Sequence, residues 1–245
     1  MGKLIAVTSG KGGTGKTTCA AAIASCLAFL GHRTVCIDGD MGLKNLDLTL
    51  GVAESAVKDF TDVLYRRASL TEAAFAHPAV PDLFVLTSPV SLSPEEIRTE
   101  DMDSLRGMLR TCFDYAVIDA PAGVGPGFRL CAEKADMAIV VCTGEAASLR
   151  DGERTAAELY AMGIGEVRLL VNRLTKRNLR HMDATLDDYT DRVGARLLGI
   201  VSEDRMVPEA VIREKPLILC NSKASFQFLR IARRIDGQDV PVQKL

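Results

Sequence analysis

The densest chemistry in the sequence lies near its start, in Ser9-Gly10-Lys11-Gly12-Gly13-Thr14-Gly15-Lys16-Thr17-Thr18. Gly10 and Gly15, followed by Lys16 and Thr17, satisfy the spacing G-x-x-x-x-G-K-[ST] of a phosphate-binding loop. The physical reason is direct. Glycines let backbone N–H groups converge on phosphate oxygens, and a following helix N-terminus adds its partial positive charge. Lys16 is expected to reach the β- and γ-phosphates, and the Thr17 hydroxyl to ligate Mg²⁺. Lys11 is an extra cation inside the loop. It is either a solvated loop lysine or a second positive charge placed to stabilise a transferring group.

Two further acidic sites follow apolar runs. Ile37-Asp38-Gly39-Asp40 closes one, and Val117-Ile118-Asp119-Ala120-Pro121 closes another. A carboxylate at the end of a buried strand is costly unless it is paired or coordinated. Asp119 fits a residue that holds Mg²⁺, through a bound water. Asp40 fits a residue that orients an attacking water, and Asp38 a supporting carboxylate beside the metal shell. Each could instead be a helix N-cap or a turn aspartate. Positioning and electrostatics suffice for phosphoryl chemistry, so no nucleophilic triad is needed.

These residues need elements to hold them. Strands are expected at Leu4–Thr8, Thr34–Asp38, Leu83–Leu86, Tyr115–Asp119, Met137–Cys142, Arg168–Asn172, Leu197–Val201 and Leu217–Leu219. Several are continuous apolar runs, such as Ala138-Ile139-Val140-Val141, which is how strands buried on both faces read. Helices are expected at Lys16–Leu30, stopped by Gly31 as C′ residue, and at Pro94–Cys112, Leu149–Ala161 and Met182–Val193. Strand–helix alternation predicts a single doubly wound α/β domain. Its sheet should be mostly parallel, of seven or eight strands, with helices on both faces. Residues 1–237 form that domain and 238–245 a short tail.

Composition sets the outer bounds. The chain has 245 residues, 47% hydrophobic and 25% charged, enough to bury a core. Its formal charge of −2 argues against constitutive charge-driven nucleic-acid binding. No apolar run reaches the ~18 residues of a membrane span, and no signal peptide precedes the first strand, so a cytoplasmic protein is expected. The seven cysteines are odd in number and form no C-x-x-C pair, and the three histidines share no ligand spacing. Reduced, buried cysteines are expected, with no cysteine- or histidine-bound metal.

The loop Lys11-Gly12-Gly13-Thr14-Gly15-Lys16-Thr17-Thr18 resembles the deviant Walker A motif of the ParA/MinD ATPase superfamily. The likeness runs on in order along essentially the whole chain. Asp38 to Asp47 is similar to the segment after the second strand in the MinD branch, and Phe113 to Gly123 to its Walker B region. Ala147 to Arg154 is similar to the start of its partner-binding helix. Leu170-Val171-Asn172-Arg173 resembles the strand end whose asparagine reads adenine, and Leu198 to Asp204 the next pocket segment. Thr14, Gly144, Ser202 and Val124-Gly125-Pro126-Gly127 depart from the usual MinD residues.

The resemblance implies a Mg²⁺-dependent ATPase that forms a homodimer around ATP, acting in division-site placement. Residues 10–18 would bind phosphates, with Lys11 reaching the partner subunit's nucleotide. Asn172 would bind adenine, with Arg173 beside it. Asn45 and Asp151 would lie near the dimer or partner surface. It also implies a MinC-like partner, an ATPase activator, and peripheral contact with the inner face of the cell membrane. A ParA-like role in DNA partition and a flagellar-number role of the FlhG class are the alternatives. For the first, residues 205–245 hold eight Lys/Arg against four Asp/Glu.

The run Phe226 to Gly237 has an apolar stripe of Phe228, Ile231, Ala232 and Ile235, with Arg230, Arg233 and Arg234 off it. That pattern suits a basic membrane-surface helix or the last core helix of the domain. The core reading is preferred, because a similar stretch closes the MinD ATPase domain. No amphipathic anchor is expected after Pro241. Membrane contact would then run through a partner.

Overall fold

The computed structural model describes residues 1–41, 45–53, 55, 57–89, 92–175 and 186–242. Eight strands form one sheet: β1 (Lys3–Thr8), β2 (Thr34–Asp38), β3 (Phe75–Ala76), β4 (Leu83–Leu86), β5 (Tyr115–Asp119), β6 (Met137–Thr143), β7 (Val167–Leu174) and β8 (Arg196–Ser202). Their spatial order is β3-β4-β2-β5-β1-β6-β7-β8. Every pairing is parallel except that of β3 with β4.

Successive residues of β1 show why its apolar run is unbroken. Ile5 and Val7 enter the core on one side of the sheet, while Leu4 and Ala6 enter packing clusters on the other. A strand covered on both faces has no solvent side to mark with polar residues.

Helix α1 (Lys16–Phe29) is buried on nearly all sides from Cys19 to Ala28. Its alanines let it sit close between the sheet and the last helix. It ends as expected: Gly31 takes φ 91°, its N–H bonds Ala28 O at 2.9 Å, and His32 N–H bonds Leu27 O at 3.2 Å. Short helices α2 (Leu46–Leu50), α3 (Phe60–Leu64) and α4 (Leu70–Ala73) follow β2. Then come α5 (Thr99–Cys112), α6 (Pro126–Ala132), α7 (Ala146–Ala161), α8 (Leu186–Val193), α9 (Met206–Ile212) and α10 (Lys223–Ile235).

Three expectations need correction. Leu217–Leu219 is a 3₁₀ turn, not a strand. It follows Pro216 and packs Leu217 into the core beside α1, where a short apolar run does not itself choose between extended and coiled backbone. The eighth strand is instead β3, two residues long at the sheet edge. The expected helix Pro94–Cys112 breaks into a 3₁₀ turn, Pro94–Glu96, and α5. Ile97 and Arg98 are extended between them (ψ 120° and 142°). The Ser93–Glu96 capping box closes the first turn on itself. Of the expected helix Met182–Val193, residues 182–185 lie outside the described residues, and Leu186–Val193 is helical. The last residues of the tail, 243–245, also lie outside them. All seven cysteines are free, five of them buried, and burial pushes the thiols of Cys36 and Cys131 up.

Candidate functional site

The sheet brings the predicted residues to one end. Asp38 and Asp119 face each other across the β2–β5 pairing, and Asp119 pairs with Val7 on β1, two residues before the loop. The loop leaves β1 between its neighbours β5 and β6, at the carboxyl ends of parallel strands, where doubly wound folds bind ligands.

Within the loop, Gly13 and Gly15 take φ 82° and 84°, the left-handed region where a side chain is strained. Gly15 caps α1. A Cβ there would also strike the Asn172 amide. Gly10 lies so close to the Asp151 backbone of α7 that a Cβ would overlap it, whereas one on Gly12 would meet nothing. Thr14 is buried. Its hydroxyl, like that of Thr143, finds no partner among the described residues. Thr18 lines a small crevice shared with α9 residues Val207 and Val211.

Lys16 is 7% exposed, and its Nζ donates to Asp119 Oδ1 at 2.6 Å. Thr17 lies next along the loop and, like Lys16, favours the ionised Asp119 carboxylate. Burial raises the Asp119 pKa, and Lys16 pulls against that rise. Asp38 is 1% exposed. Its Oδ1 accepts from Asp40 N at 3.0 Å and its Oδ2 from Leu46 N at 3.5 Å. Desolvation pushes its pKa up to about 6; the two backbone N–H groups oppose this, and Asp119 and Asp40 add to it. The Asp40 carboxylate is close enough to raise both neighbours.

A cavity of about 440 Å³ opens beside the loop. It is lined by Lys11, Gly12, Gly13, Thr143, Gly144, Glu145, Arg173, Thr175 and Glu203. Two ion pairs flank it: Lys11 Nζ to Glu145 at 3.3 Å, and Arg173 Nη2 to Glu203 at 3.2 Å. Arg173 takes φ 54°, a strained value for a long side chain, at the end of β7. Asn172 does not reach into the cavity. It is 6% exposed, and its Nδ2 donates to Thr14 O at 2.9 Å, tying β7 to the loop. Asn45 is the exposed N-cap of α2, and Asp151 lies half-buried against the loop.

Sequence reasoning missed Glu145 as a cavity residue and had Glu203 only within the pocket-like segment Leu198 to Asp204. Both follow strand ends, β6 and β8, so the rule that singled out the aspartates would have found them. It also missed the Lys16–Asp119 pair, because residues 103 positions apart give no local signal.

The donor set suits Mg²⁺. Among the described residues no three or more His, Cys, Asp or Glu form a metal cage, and Mg²⁺ needs none. It keeps several waters and takes one or two carboxylates plus phosphate oxygens. Thr17, beside the loop lysine, and Asp119, which holds that lysine, offer a hydroxyl and a carboxylate oxygen at one strand end.

Loop, helix and strand-end carboxylates together define a P-loop nucleotide-binding protein. Residues 5–217 match the CobQ/CobB/MinD/ParA nucleotide binding domain. The septum site-determining protein MinD of Synechocystis is 38% identical over 98% of this chain and 92% of its own length. The MinC:MinD cell division protein complex of Aquifex aeolicus superposes with a TM-score of 0.88 at 30% identity, covering 99% of this chain and 98% of that one. MinD of Pyrococcus horikoshii, complexed with Mg-ADP, gives 0.83 at 27% identity over 96% of both chains. The chain belongs to the MinD family of P-loop ATPases. It is an ATP hydrolase of the septum-site-determining kind.

Proposed function

We propose that this ATPase is an ATP-driven dimerisation switch for division-site placement. Residues 10–18 cradle the phosphates, and Lys16 transfers its charge from Asp119 to the β- and γ-oxygens. Thr17 and Asp119 would hold Mg²⁺, with Asp38 in support behind them. When bound, the ion neutralises charge on the phosphate oxygens. Asp40 orients the attacking water. Arg173 borders the cavity on the base side, and Asn172, which the family likeness gives to adenine, lies behind it. Asp38 and Asn172 also brace backbone, through Leu46 N and Thr14 O.

The position of Lys11 carries the dimer reading. Its pair with Glu145 is partly solvent-exposed, 37% and 65%, so it contributes no more than about 1 kcal/mol. Lys11 can therefore exchange that partner cheaply for the nucleotide of a second subunit. Lys16, buried against a buried carboxylate, cannot. The Aquifex aeolicus complex supports a MinC-like partner for this chain, with an ATPase activator and peripheral membrane contact as further parts of the cycle.

The test is light scattering and steady-state hydrolysis with Mg-ATP. Wild type should dimerise with ATP but not ADP. Lys11→Ala should bind nucleotide and stay monomeric, and Lys16→Ala should lose nucleotide affinity. A wild-type chain that hydrolyses ATP while remaining monomeric would sink the switch. Failure to bind a MinC-like protein in its ATP form would remove the partner assignment.

A further inference from the structure

His77 follows β3 and is 6% exposed, and none of the roles above uses it. Its backbone N–H bonds Leu83 O at 2.8 Å, which fixes it beside β4. Two N–H groups, Ala79 N at 3.0 Å and Val80 N at 3.1 Å, point at its Nδ1. Nδ1 therefore carries the lone pair, and the ring proton sits on Nε2. Nε2 lies 2.9 Å from Leu50 O and donates to it.

Leu50 is the last residue of α2, whose final carbonyls have no partner within the helix. The next residue, Gly51, takes φ 70° and packs directly on the Glu214 backbone, where a Cβ would overlap. The C-terminal end of α2 is thus held from two sides. At the other end, Leu46 N faces Asp38 Oδ2, and Asp38 Oδ1 receives Asp40 N. A continuous path runs from the imidazole through α2 and Asp38 to the backbone of Asp40.

We propose that His77 is a positioning residue for hydrolysis, holding α2 so that Asp38 fixes Asp40 at the site. The assignment rests on the hydrolytic role given to Asp40 above. The two ring nitrogens have separate tasks: Nε2 serves the site and Nδ1 serves the 77–80 turn. Errors of about 1 Å in such placements cost up to about 100-fold in rate.

His77→Asn and His77→Gln separate these tasks. The Asn side chain reaches the place of Nδ1, so it can accept from the turn, but it falls short of Leu50. The Gln amide reaches the place of Nε2 and can donate to Leu50 O, but it leaves the turn without its acceptor. Each variant is compared with wild type by urea unfolding, Mg-ADP affinity, turnover at saturating ATP, and hydrogen exchange over residues 45–51. His77→Asn should lose about 10-fold in turnover, with nucleotide affinity unchanged within about 2-fold and faster exchange in α2. His77→Gln should restore turnover and α2 protection even where it loses as much stability. Unchanged exchange in α2 and unchanged turnover in His77→Asn would overturn the proposal. So would equal loss of turnover in both variants. Faster α2 exchange in His77→Asn, beside an Asp40→Asn variant that hydrolyses ATP as fast as wild type, would instead overturn the role of Asp40, because the bracing would stand without a catalytic carboxylate to serve.

Discussion

Asp38 shows how one residue can be read as a ligand and still act as a brace. Its carboxyl is walled off from water, faces Asp119 across one strand pairing, and holds two backbone N–H groups. Burial wins over those bonds and lifts its pKa from the ordinary carboxylate value to about 6. The consequence for stability has a definite sign. Below about pH 4 the group is protonated in both folded and unfolded chains. Between about pH 4 and 6 the unfolded chain ionises while the folded one keeps its proton, so stability falls as pH rises through that window and levels off above it. The loss is about 3 kcal/mol. Asp119 shifts in the same direction, so the two titrate as a coupled set. Urea unfolding of the nucleotide-free, Mg²⁺-free protein at pH 4 and pH 7 measures this against Asp38→Asn, whose amide cannot ionise. The wild-type minus variant difference should fall by about 3 kcal/mol. A difference that stays flat with pH would show that Asp38 is solvated or already ionised.

At the scale of elements, the junction of β7 with the phosphate loop is where the resemblance and the geometry assign different work to one side chain. The family likeness gives Asn172 to adenine; the structure hangs the Thr14 carbonyl on its amide. Removing a buried hydrogen bond and stranding its acceptor costs about 1–3 kcal/mol. Asn172→Ala should therefore weaken nucleotide binding by about 10-fold, through a loosened loop. The loss should be the same for inorganic triphosphate, which has no base, as for ATP. Calorimetry with both ligands decides it: a loss confined to ATP would return Asn172 to the base.

The elements themselves were largely legible, because strands buried on both faces advertise themselves as apolar runs, two of which end in aspartate. β5, ending in Asp119, and β2, ending in Asp38, have the expected bounds. What escaped was decided by tertiary context. Phe75-Ala76 is too short to carry any period, and it is a strand only because β4 lies beside it. Leu217–Leu219 has a strand's composition and coils instead under α1. The phosphate loop was visible as a contiguous motif. Asp119 was visible as a strand-end carboxylate, but its pairing with the loop lysine was not, since the sheet alone brings Lys16 and Asp119 together.

At the scale of the molecule, the closing helix decides whether the domain is one cooperative body or a core with a detachable amphipathic segment. Its stripe of Phe228, Ile231 and Ile235 is at most 2% exposed and joins the same core as α1, β1, β2 and β6. Gly199 on β8 leaves room for Ile231, where a Cβ would overlap it. Both ends of α10 are fastened. Asp204 accepts from Ala224 N at 3.0 Å, and Gln227 exchanges hydrogen bonds with Ser202. After the last turn, Asp236 takes His32 at 2.9 Å and Tyr115 at 3.1 Å. The arginines that made the sequence look membrane-seeking serve the fold in part: Arg230 bonds Pro241 O at 2.8 Å, and Arg234 bonds the carbonyls of Leu198 and Val240. To lay this stripe on a bilayer, the protein would have to open its main core. Phe228→Ala should then cost about 3–5 kcal/mol, the price of a large buried aromatic. Unfolding should remain a single transition by circular dichroism and by tyrosine fluorescence alike. Anionic vesicles should bind wild type and variant equally, with or without ATP. A variant that loses less than about 1 kcal/mol but no longer sediments with vesicles would mean that α10 leaves the core to meet the membrane.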